Sequence, residues 1–461
     1  MASTTPSDHD DDHHTFSSIG KAGKSSGEIE GMDVRLLNNY HQPEKYSVLA
    51  AILPFLFPAF GGLLYGYDIG ATSSATINIK SPTFSGISWY DLSSVQVGLI
   101  TSGSLYGALI GSLLAFNVAD FLGRRRELMV SAASYIIGAV ITTLAPGFAI
   151  MVVGRFIYGI GIGLAMHAAP MYIAETAASQ IRGRLISLKE FFIVMGMVLG
   201  YVVGSLLVEL YSGWRYMYAT AIPFAVVMGI GMWWLPASPR WILLRAIQGK
   251  GDMQELREHA IYCLRRLRGL VLFQQITGQP SVLYYAASIF QTAGFSAASD
   301  ATRASIFLGL LKLVMTGVAV LVVDKLGRRP LLLGGVSGIA IALFLMGSFY
   351  SYLSGVPAVA VVALLVYVGC YQISFGPIGW LMISEIFPLR LRGRGLSIAV
   401  LVNFGANALV AFAFSPLQTL LGAGPLFFIF GGIAVASLVF IFFIVPETKG
   451  LTLEEIEAKL L

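Results

Sequence analysis

The chain has 461 residues, of which 56% are hydrophobic and only 12% are charged. Because soluble domains carry about twice that share of charged residues, the composition excludes an ordinary water-soluble globular protein and indicates an integral membrane protein. The formal net charge is +5, but the basic residues follow membrane topology, so the charge does not indicate a nucleic-acid partner.

The first 45 residues are polar and precede any apolar run. They contain the cluster "DHDDDHH" at 8–14. A secretory signal needs an apolar segment, and an organellar transit peptide is usually poor in acidic residues, so we expect neither. Histidine-rich tracts can bind metal, but we interpret this one as part of a disordered cytosolic tail and predict no metal site.

Twelve apolar stretches follow the tail, and each is close to the ~20 residues that a helix needs to cross the hydrocarbon core. We number them span one to span twelve in chain order. They lie near 48–71, 94–117, 128–148, 149–174, 185–209, 216–235, 270–291, 304–323, 330–352, 358–384, 395–417 and 425–445. The sequence therefore predicts an all-α membrane protein with twelve transmembrane helices. Lysine and arginine concentrate in the tails and in alternate loops, which by the positive-inside rule places both termini in the cytosol.

The sequence repeats itself after six spans. "DFLGRRREL" (120–128) matches "DKLGRRPLL" (324–332), and "AETAASQIRGR" (174–184) matches "SEIFPLRLRGR" (384–394). Two parallel six-helix halves with the substrate between them are typical of transporters. The expected organisation is a tail at 1–45, an N-terminal half at 46–235, a cytosolic loop at 236–269, a C-terminal half at 270–445 and a cytosolic tail at 446–461.

The repeated segments carry acidic and basic residues at matching offsets. Ion pairs between these residues can hold the cytosolic helix ends together and break when that face opens. A role as a positive-inside anchor alone would explain the arginines but not the duplicated acidic residues. The predicted gating residues are Asp120, Arg124, Arg125, Glu175 and Arg182 in the first half and Asp324, Arg328, Arg329, Glu385 and Arg392 in the second.

Nine motifs in a fixed order carry a family resemblance. They are "GYD" (66–68), the two GRR loops, "GRFIYGIGIG" (154–163), "PMYIAE" (170–175), "PASPRW" (236–241), "QQITG" (274–278) with "YY" (284–285), "FGPIGW" (375–380) and "PETKG" (446–450). Over nearly all of residues 46–461 the chain resembles the sugar porters of the major facilitator superfamily. Within them it is most similar to plant vacuolar glucose transporters and their xylose-proton-symporter-like relatives. "GIGIG" (159–163) itself is interpreted as helix-packing glycine within span four.

Asp68 and Arg155 are charged residues inside spans one and four. The charges nearest to Asp68 along the chain are Lys45 and Lys80. An unpaired charge at membrane depth costs several kcal/mol, so such residues usually pair and mark ion pathways. We expect Asp68 and Arg155 to form a latch that protonation of the carboxylate releases, a role that the resemblance also implies. The alternative is a permanent salt bridge between the two spans.

A sugar site needs amide side chains, which donate and accept hydrogen bonds at once, and an aromatic face for the C–H surface of the ring. The second half supplies such groups on spans seven, ten and eleven, and the resemblance implies sugar contact at the matching positions. A single membrane glutamine is as readily explained as a link between helices, but a cluster on three helices favours a polyol ligand. The candidates are Gln274, Gln275, Gln279, Trp380, Asn403 and Asn407.

Four positions depart from the family pattern. Glu190 stands where many sugar porters carry glutamine, and we include it among the substrate-binding candidates. Lys312 stands where an asparagine is usual. The asparagine that the family carries shortly after "TG" is displaced, and Gln279 occupies that turn. Ala237 replaces the acidic residue of a cytosolic motif. Glu190 and Lys312 could form a second ion pair between the halves.

The loop before span seven is short. Only 28 residues separate Trp241 from Leu270, about half of what the family uses there, and Arg268 precedes Gln274 by six residues. At 1.5 Å per residue, Gln274 lies ~9 Å from a charged cluster. We therefore expect a deletion just before Leu270, and a distorted end of span seven.

The sequence predicts a proton-coupled monosaccharide transporter, for a hexose or pentose such as glucose or xylose, that works by alternating access. The alternative is a sugar-binding receptor or inactive isoform that lost movement through the deletion. We find no nucleophile motif, metal-ligand cluster or phosphate loop, so we expect no enzyme and no cofactor beyond the proton gradient. The expected partners are the sugar, protons and the lipid bilayer, and the expected state is a monomer. The vacuolar membrane is the expected location, with another internal membrane or the plasma membrane as the alternative.

Overall fold

Every segment of regular structure in the described part of the chain is an α-helix. The computed structural model describes residues 48–176, 182–238, 269–292, 298–352, 357–386 and 392–447. The polar tail, most of the short loop and the last residues lie outside this part. So do some side chains within it, including those of the gating candidates Asp120, Arg182, Asp324, Glu385 and Arg392.

The helices agree closely with the predicted spans. They are Val48–Lys80, Ser94–Leu122, Arg124–Leu144, Phe148–Thr176, Arg182–Leu207, Gly213–Ala219, Ala221–Trp234, 269–276, Gln279–Tyr284, Ala286–Thr292, Ala298–Leu326, Arg328–Tyr352, Pro357–Ile373, Phe375–Ile386, Arg392–Leu421 and Ala423–Ile444.

These helices account for the twelve spans, because spans six, seven and ten each consist of more than one helical piece. Within the described ranges, ten helical segments are long and apolar enough to cross a membrane. Span one and the broken span seven complete the set. The predicted all-α fold of two six-helix halves is therefore confirmed. Large apolar side chains at the periphery are exposed, such as Leu206, Trp234 and Phe443, as expected for helices whose solvent is lipid.

Small residues allow the spans of the first half to approach closely. A Cβ at Gly159 on span four would collide with the backbone of Ser104 and Gly107 on span two, and a Cβ at Gly163 would collide with that of Ala108. The prediction that "GIGIG" serves helix packing is confirmed. Without these glycines, spans two and four would lie farther apart, and Arg155 of span four could not reach Ser104 of span two.

Span seven breaks in the middle. Gly278 has a φ of 94°, a left-handed conformation that favours glycine, and Pro280 starts the next helical piece. The carbonyl of Thr277 at the break accepts a hydrogen bond from the Tyr367 hydroxyl of span ten, at 3.3 Å. Broken helices within transporter bundles often line the substrate site, and here the break directly follows the "QQ" pair.

Both halves use the second arginine of the GRR turn in the same way. Arg125 donates to the carbonyls of Met232 and Trp233 at the end of span six, at 3.2 and 2.5 Å. Arg329 donates to the carbonyl of Phe442 at the end of span twelve, at 2.5 Å. We call this end of the bundle, which carries Gly123–Arg125 and Gly327–Arg329, the GRR end. The described partners of these two arginines are thus carbonyls instead of the carboxylates that the sequence suggested.

The two halves differ at the residue that follows the last span. The Glu447 carboxylate accepts hydrogen bonds from the backbone N–H groups of Arg328 and Arg329, both at 3.0 Å, and so caps the first turn of span nine. The repeat places Ala237 of "PASPRW" where "PETKG" has Glu447. The first turn of span three, at Arg124 and Arg125, therefore receives no carboxylate from position 237.

We expect Glu447→Ala to lower the thermal stability of the protein in detergent by the ~0.5–2 kcal/mol typical of a lost N-terminal cap. Ala237→Glu should raise it, because the half-buried position lies by symmetry within reach of the span three N-terminus, where negative charge is favourable. Thermal unfolding of both variants tests this. Unchanged melting of Glu447→Ala would show that the cap contributes nothing, and a destabilised Ala237→Glu would show that the halves are not equivalent at this end.

Candidate functional site

The structure joins Asp68 and Arg155 directly. The guanidinium Nη1 of Arg155 contacts Oδ1 of Asp68, and both side chains are almost fully buried. Nε of Arg155 also donates to the carbonyl of Ile100, at 3.2 Å, and its guanidinium lies 5.2 Å from the centre of the Tyr218 ring. The arginine therefore keeps favourable contacts besides the carboxylate.

Ser104 on span two completes this centre. Its hydroxyl donates to Oδ2 of Asp68 at 2.8 Å and accepts from Nη2 of Arg155 at 3.0 Å. Spans one, two and four thus meet through one three-membered polar network. The sequence analysis did not identify Ser104. The only signal available was a run of small polar residues, "TSGS" at 101–104, which is equally typical of helix packing.

A small cavity reaches the Asp68 carboxylate. Its lining comprises Tyr67, Asp68, Ala139, Thr142, Arg155, Tyr158, Tyr218 and Ala221. The polar groups in this lining are suited to holding water, which needs two to four polar partners in a buried site.

The amide candidates of the second half are buried, and several of their polar atoms lack partners. Gln275 Oε1 and Asn407 Oδ1 make no hydrogen bond, and neither does either polar atom of Gln372 on span ten. Gln274 differs, because its Nε2 donates to the carbonyl of Phe375 at 2.9 Å and so links span seven to the break in span ten. Buried polar atoms are rarely left unpaired, so the orphaned amides indicate a polar ligand.

Tyr65 of span one lies against this amide cluster from the other half. Asn407 Nδ2 donates to the Tyr65 hydroxyl at 3.3 Å. The Tyr65 ring also packs edge-on against Phe404, with a centroid distance of 5.6 Å. Asn403 is buried one helical turn before Asn407, and Gln279 is half-buried just after the break in span seven. The amide candidates thus lie on elements that meet at the boundary of the halves.

The aromatic candidate Trp380 lies beside Lys189, one of three charged residues that interact with one another. Lys189 Nζ lies 5.3 Å from the centre of the Trp380 ring, and Glu190 interacts electrostatically with both Lys189 and Lys312. Glu190 and Lys312 do not approach within 4.0 Å of each other among the described ion pairs, so the expected direct pair is replaced by a longer-range interaction. Lys189 and Glu190 lie on span five of the first half, and Lys312 lies on span eight of the second half.

Tyr284 connects the two clusters. It lies within electrostatic range of Asp68 and Arg155 on one side and of Tyr65 on the other. The "YY" motif was noted in the sequence, but neither Tyr284 nor Tyr65 and Gln372 was selected as a site residue. A tyrosine or a single glutamine in an apolar span gives no signal that separates a binding role from a packing role.

The GRR end contains one predicted gating pair. Arg124 Nε lies 3.2 Å from Glu175 Oε1, and the Ser238 hydroxyl donates to the other carboxylate oxygen. Span three is thereby held to span four and to the segment after span six. Arg328 is buried at the matching turn of the second half, and its proposed acidic partners have side chains outside the described set. As a gate, the Arg124–Glu175 pair stays a prediction.

The comparisons with known proteins agree with this architecture. A profile of the family described as "Sugar (and other) transporter" matches residues 55–260 and 252–460. The chain is 66% identical to D-xylose-proton symporter-like 2 of Arabidopsis thaliana over 485 residues, covering 95% of this chain and 96% of that protein. It is 59% identical to "D-xylose-proton symporter-like 3, chloroplastic" of the same plant, covering 91% and 84% of the two chains. The 485 aligned positions exceed the 461 residues of this chain, so the first relative has residues without a counterpart here.

A solved structure shares the fold as well as the sequence pattern. The proton:xylose symporter XylE of E. coli, bound to 6-bromo-6-deoxy-D-glucose, superposes with a TM-score of 0.75 at 31% identity, covering 90% of this chain and all of that one. The profile spans almost the whole described chain, and the relatives match it nearly from end to end. The chain therefore belongs to the sugar porters of the major facilitator superfamily and is a multi-pass membrane sugar transporter, not an enzyme.

Proposed function

We propose that this sugar transporter is coupled to protons and carries a monosaccharide, a hexose or pentose such as glucose or xylose, by alternating access. The observation that carries the proposal is the buried Asp68–Arg155–Ser104 network. A carboxylate in that position can take up a proton, and an uncharged sugar site alone has no need of one.

Protonation of Asp68 changes what holds spans one and four together. The carboxylic acid loses its attraction to Arg155, whereas the guanidinium keeps the Ile100 carbonyl, the Ser104 hydroxyl and the Tyr218 ring. Span one can then move without leaving a bare charge in the bilayer. Loss of the proton restores the ion pair, because separating a buried pair costs ~3–5 kcal/mol.

The sugar is proposed to bind at the orphaned amides. Gln275, Gln372 and Asn407 offer acceptor and donor atoms to hydroxyl groups, and Trp380 offers a ring face. Tyr65 and Tyr284 lie between this cluster and the proton site. A sugar that pulls Asn407 away from Tyr65 would therefore act on span one, which carries Asp68.

The names of the relatives support this proposal at the level of chemistry. The Arabidopsis protein is called a D-xylose-proton symporter-like protein, and the superposed structure is a proton:xylose symporter. We propose a vacuolar location, with the GRR end in the cytosol. The chloroplastic relative makes the plastid the alternative location. Imaging of a fluorescent fusion would distinguish the vacuole from the plastid.

Asp68→Asn should abolish accumulation of sugar against its gradient while leaving sugar exchange intact, because the amide resembles the protonated acid and cannot release a proton. The measurement is uptake of labelled xylose and glucose into proteoliposomes, with and without an imposed pH gradient. The control is Glu209→Gln, which removes an exposed carboxylate and should change neither activity. Uphill transport that survives in Asp68→Asn would remove the coupling role from this residue.

Gln275→Ala and Asn407→Ala should each weaken sugar binding by ~1–3 kcal/mol, or about 5- to 150-fold, because each deletes a buried hydrogen-bonding group. Titration calorimetry or binding-induced stabilisation of the detergent-solubilised protein measures this. Gln418→Ala, at the far end of span eleven, is the matched control and should bind normally. Equal affinity in all three variants would place the sugar site elsewhere.

The second candidate function is a sugar-binding protein that does not transport. Two observations support it. D-xylose-proton symporter-like 2 has residues without a counterpart in this chain, and the two profile matches overlap at 252–260. We infer that the residues without a counterpart are missing just before Leu270. If Gln274 lies near the middle of the bilayer, Arg268 is ~9 Å away, which is inside a hydrocarbon half-thickness of ~15 Å. An arginine there costs up to ~3 kcal/mol unless it reaches the headgroups.

Insertion of about 50 residues of loop sequence from D-xylose-proton symporter-like 2 before Leu270 should raise both the melting temperature and the sugar flux, because it moves three arginines out of the membrane boundary. The control is an insertion of equal length made of glycine and serine, which moves the arginines but restores no apolar turn. If the chain without insertion already melts and transports like the extended one, the shortening has no consequence and the second candidate is excluded.

A further inference from the structure

His167 and Glu127 form a buried acid–base pair that the proposed coupling does not use. His167 Nδ1 lies 2.8 Å from Glu127 Oε1, and each side chain is only 3% exposed. The pair joins span four to the first turn of span three. The second carboxylate oxygen, Oε2, is buried without a hydrogen-bond partner. Such a group can be stabilised by a further positive charge or proton.

Helix packing does not require this pair. The repeat aligns Glu127 with Leu331 and His167 with Pro377, so the matched positions of the second half carry apolar residues. Leu331 is buried there. Because buried ionisable residues within membrane spans are costly and usually functional, the pair in the first half needs an explanation other than the fold.

Several charged groups lie near the pair. Glu127 lies three residues after Arg124, which is paired with Glu175, and Arg125 binds carbonyl groups. The other described titratable groups at this end of spans three, four and five are the exposed Arg126, Tyr172, whose hydroxyl donates to the carbonyl of Pro236, Lys189 and its neighbour Glu190. The side chains of Asp120, Arg182 and Arg184 lie outside the described set. Among the described side chains, His167 is the one that contacts the Glu127 carboxylate, so a proton on the imidazole would give this carboxylate a counter-ion.

We propose that His167, with Glu127 as its counter-ion, is a second proton-binding site that controls opening of the GRR end. The imidazole takes up one proton while the Arg124–Glu175 pair is closed, and Glu127 remains a carboxylate. When that pair separates, water reaches the imidazole, which releases the proton to the solvent on that side. His167 follows Arg155 by twelve residues, about 18 Å along span four, so the site is separate from Asp68. The proposal rests on the proposed alternating access but not on the Asp68 coupling.

The linkage has a defined sign. Because the closed state holds the proton more tightly than the open state, low pH stabilises closure and a rise in pH through the titration range of histidine, between about pH 6 and pH 8, favours opening. The reporter is Ala169→Cys, a fully buried position on span four between His167 and Glu175, in a chain whose Cys263 and Cys370 are replaced by serine. We measure its labelling by a water-soluble maleimide and divide the rate by that of Ser88→Cys, an exposed position in the loop between spans one and two, which corrects for titration of the thiol itself.

We expect the corrected labelling rate to rise several-fold from pH 6 to pH 8 in the parent chain and in Asp68→Asn. His167→Gln should label rapidly at both pH values, because Glu127 loses its counter-ion. The double variant His167→Gln/Glu127→Gln, whose two amides can hydrogen-bond without titrating, should be closed and independent of pH. This last variant separates a proton site from a merely structural contact, and its melting temperature shows whether it is folded.

Retention of the parental pH dependence in His167→Gln, or in the folded double variant, would overturn the proposal. Loss of the pH dependence in Asp68→Asn would assign it to Asp68 and would overturn it too. The labelling needs no sugar flux, so it gives an answer even if this chain does not transport. Failure of Asp68→Asn to uncouple uptake would contradict the proposed function and leave this result unaffected.

Discussion

A carboxylate and a guanidinium that are buried together constrain how the helices of the first half pack. Asp68 and Arg155 are stable in the bundle only as a pair, because either charge alone at that depth costs several kcal/mol. Ser104 and the Ile100 carbonyl supply further hydrogen bonds to the pair. Spans one, two and four are therefore tied to one another by electrostatics, and a proton on Asp68 is the simplest change that loosens them.

Close helix packing allows this pair to form, and a broken helix connects it with polar residues of the second half. Gly159 brings spans two and four close enough for Ser104 to bridge the charges. In the second half, the break of span seven at Gly278 exposes backbone and places the glutamine pair beside span ten. Tyr284, in the helical piece after the break, interacts with the proton site and with Tyr65. The sugar candidates and the proton site are thus parts of one connected network.

The repeat makes the differences between the halves informative. The arginines at positions 125 and 329 bind the ends of the sixth and twelfth spans alike, so this contact belongs to the shared framework. Glu447, in contrast, caps span nine where Ala237 leaves span three without a matching carboxylate, and the His167–Glu127 pair occurs in the first half alone among these matched positions. Features that duplicate explain the fold, whereas features of a single half call for a functional explanation.

The sequence by itself determined the class of fold, the spans, the repeat and the family, because each depends on hydropathy over about 20 residues or on motifs that are contiguous in the chain. It also singled out Asp68 and Arg155, since a lone charge in an apolar span is conspicuous. The tertiary structure alone decided which neutral polar residues matter. Asn407 meets Tyr65 across 342 positions, and Ser104, Gln372 and Glu447 have roles set by partners on other helices. A serine or glutamine looks the same in sequence whether it faces lipid, a neighbouring backbone or an unfilled site, because its role depends on what surrounds it in the folded bundle.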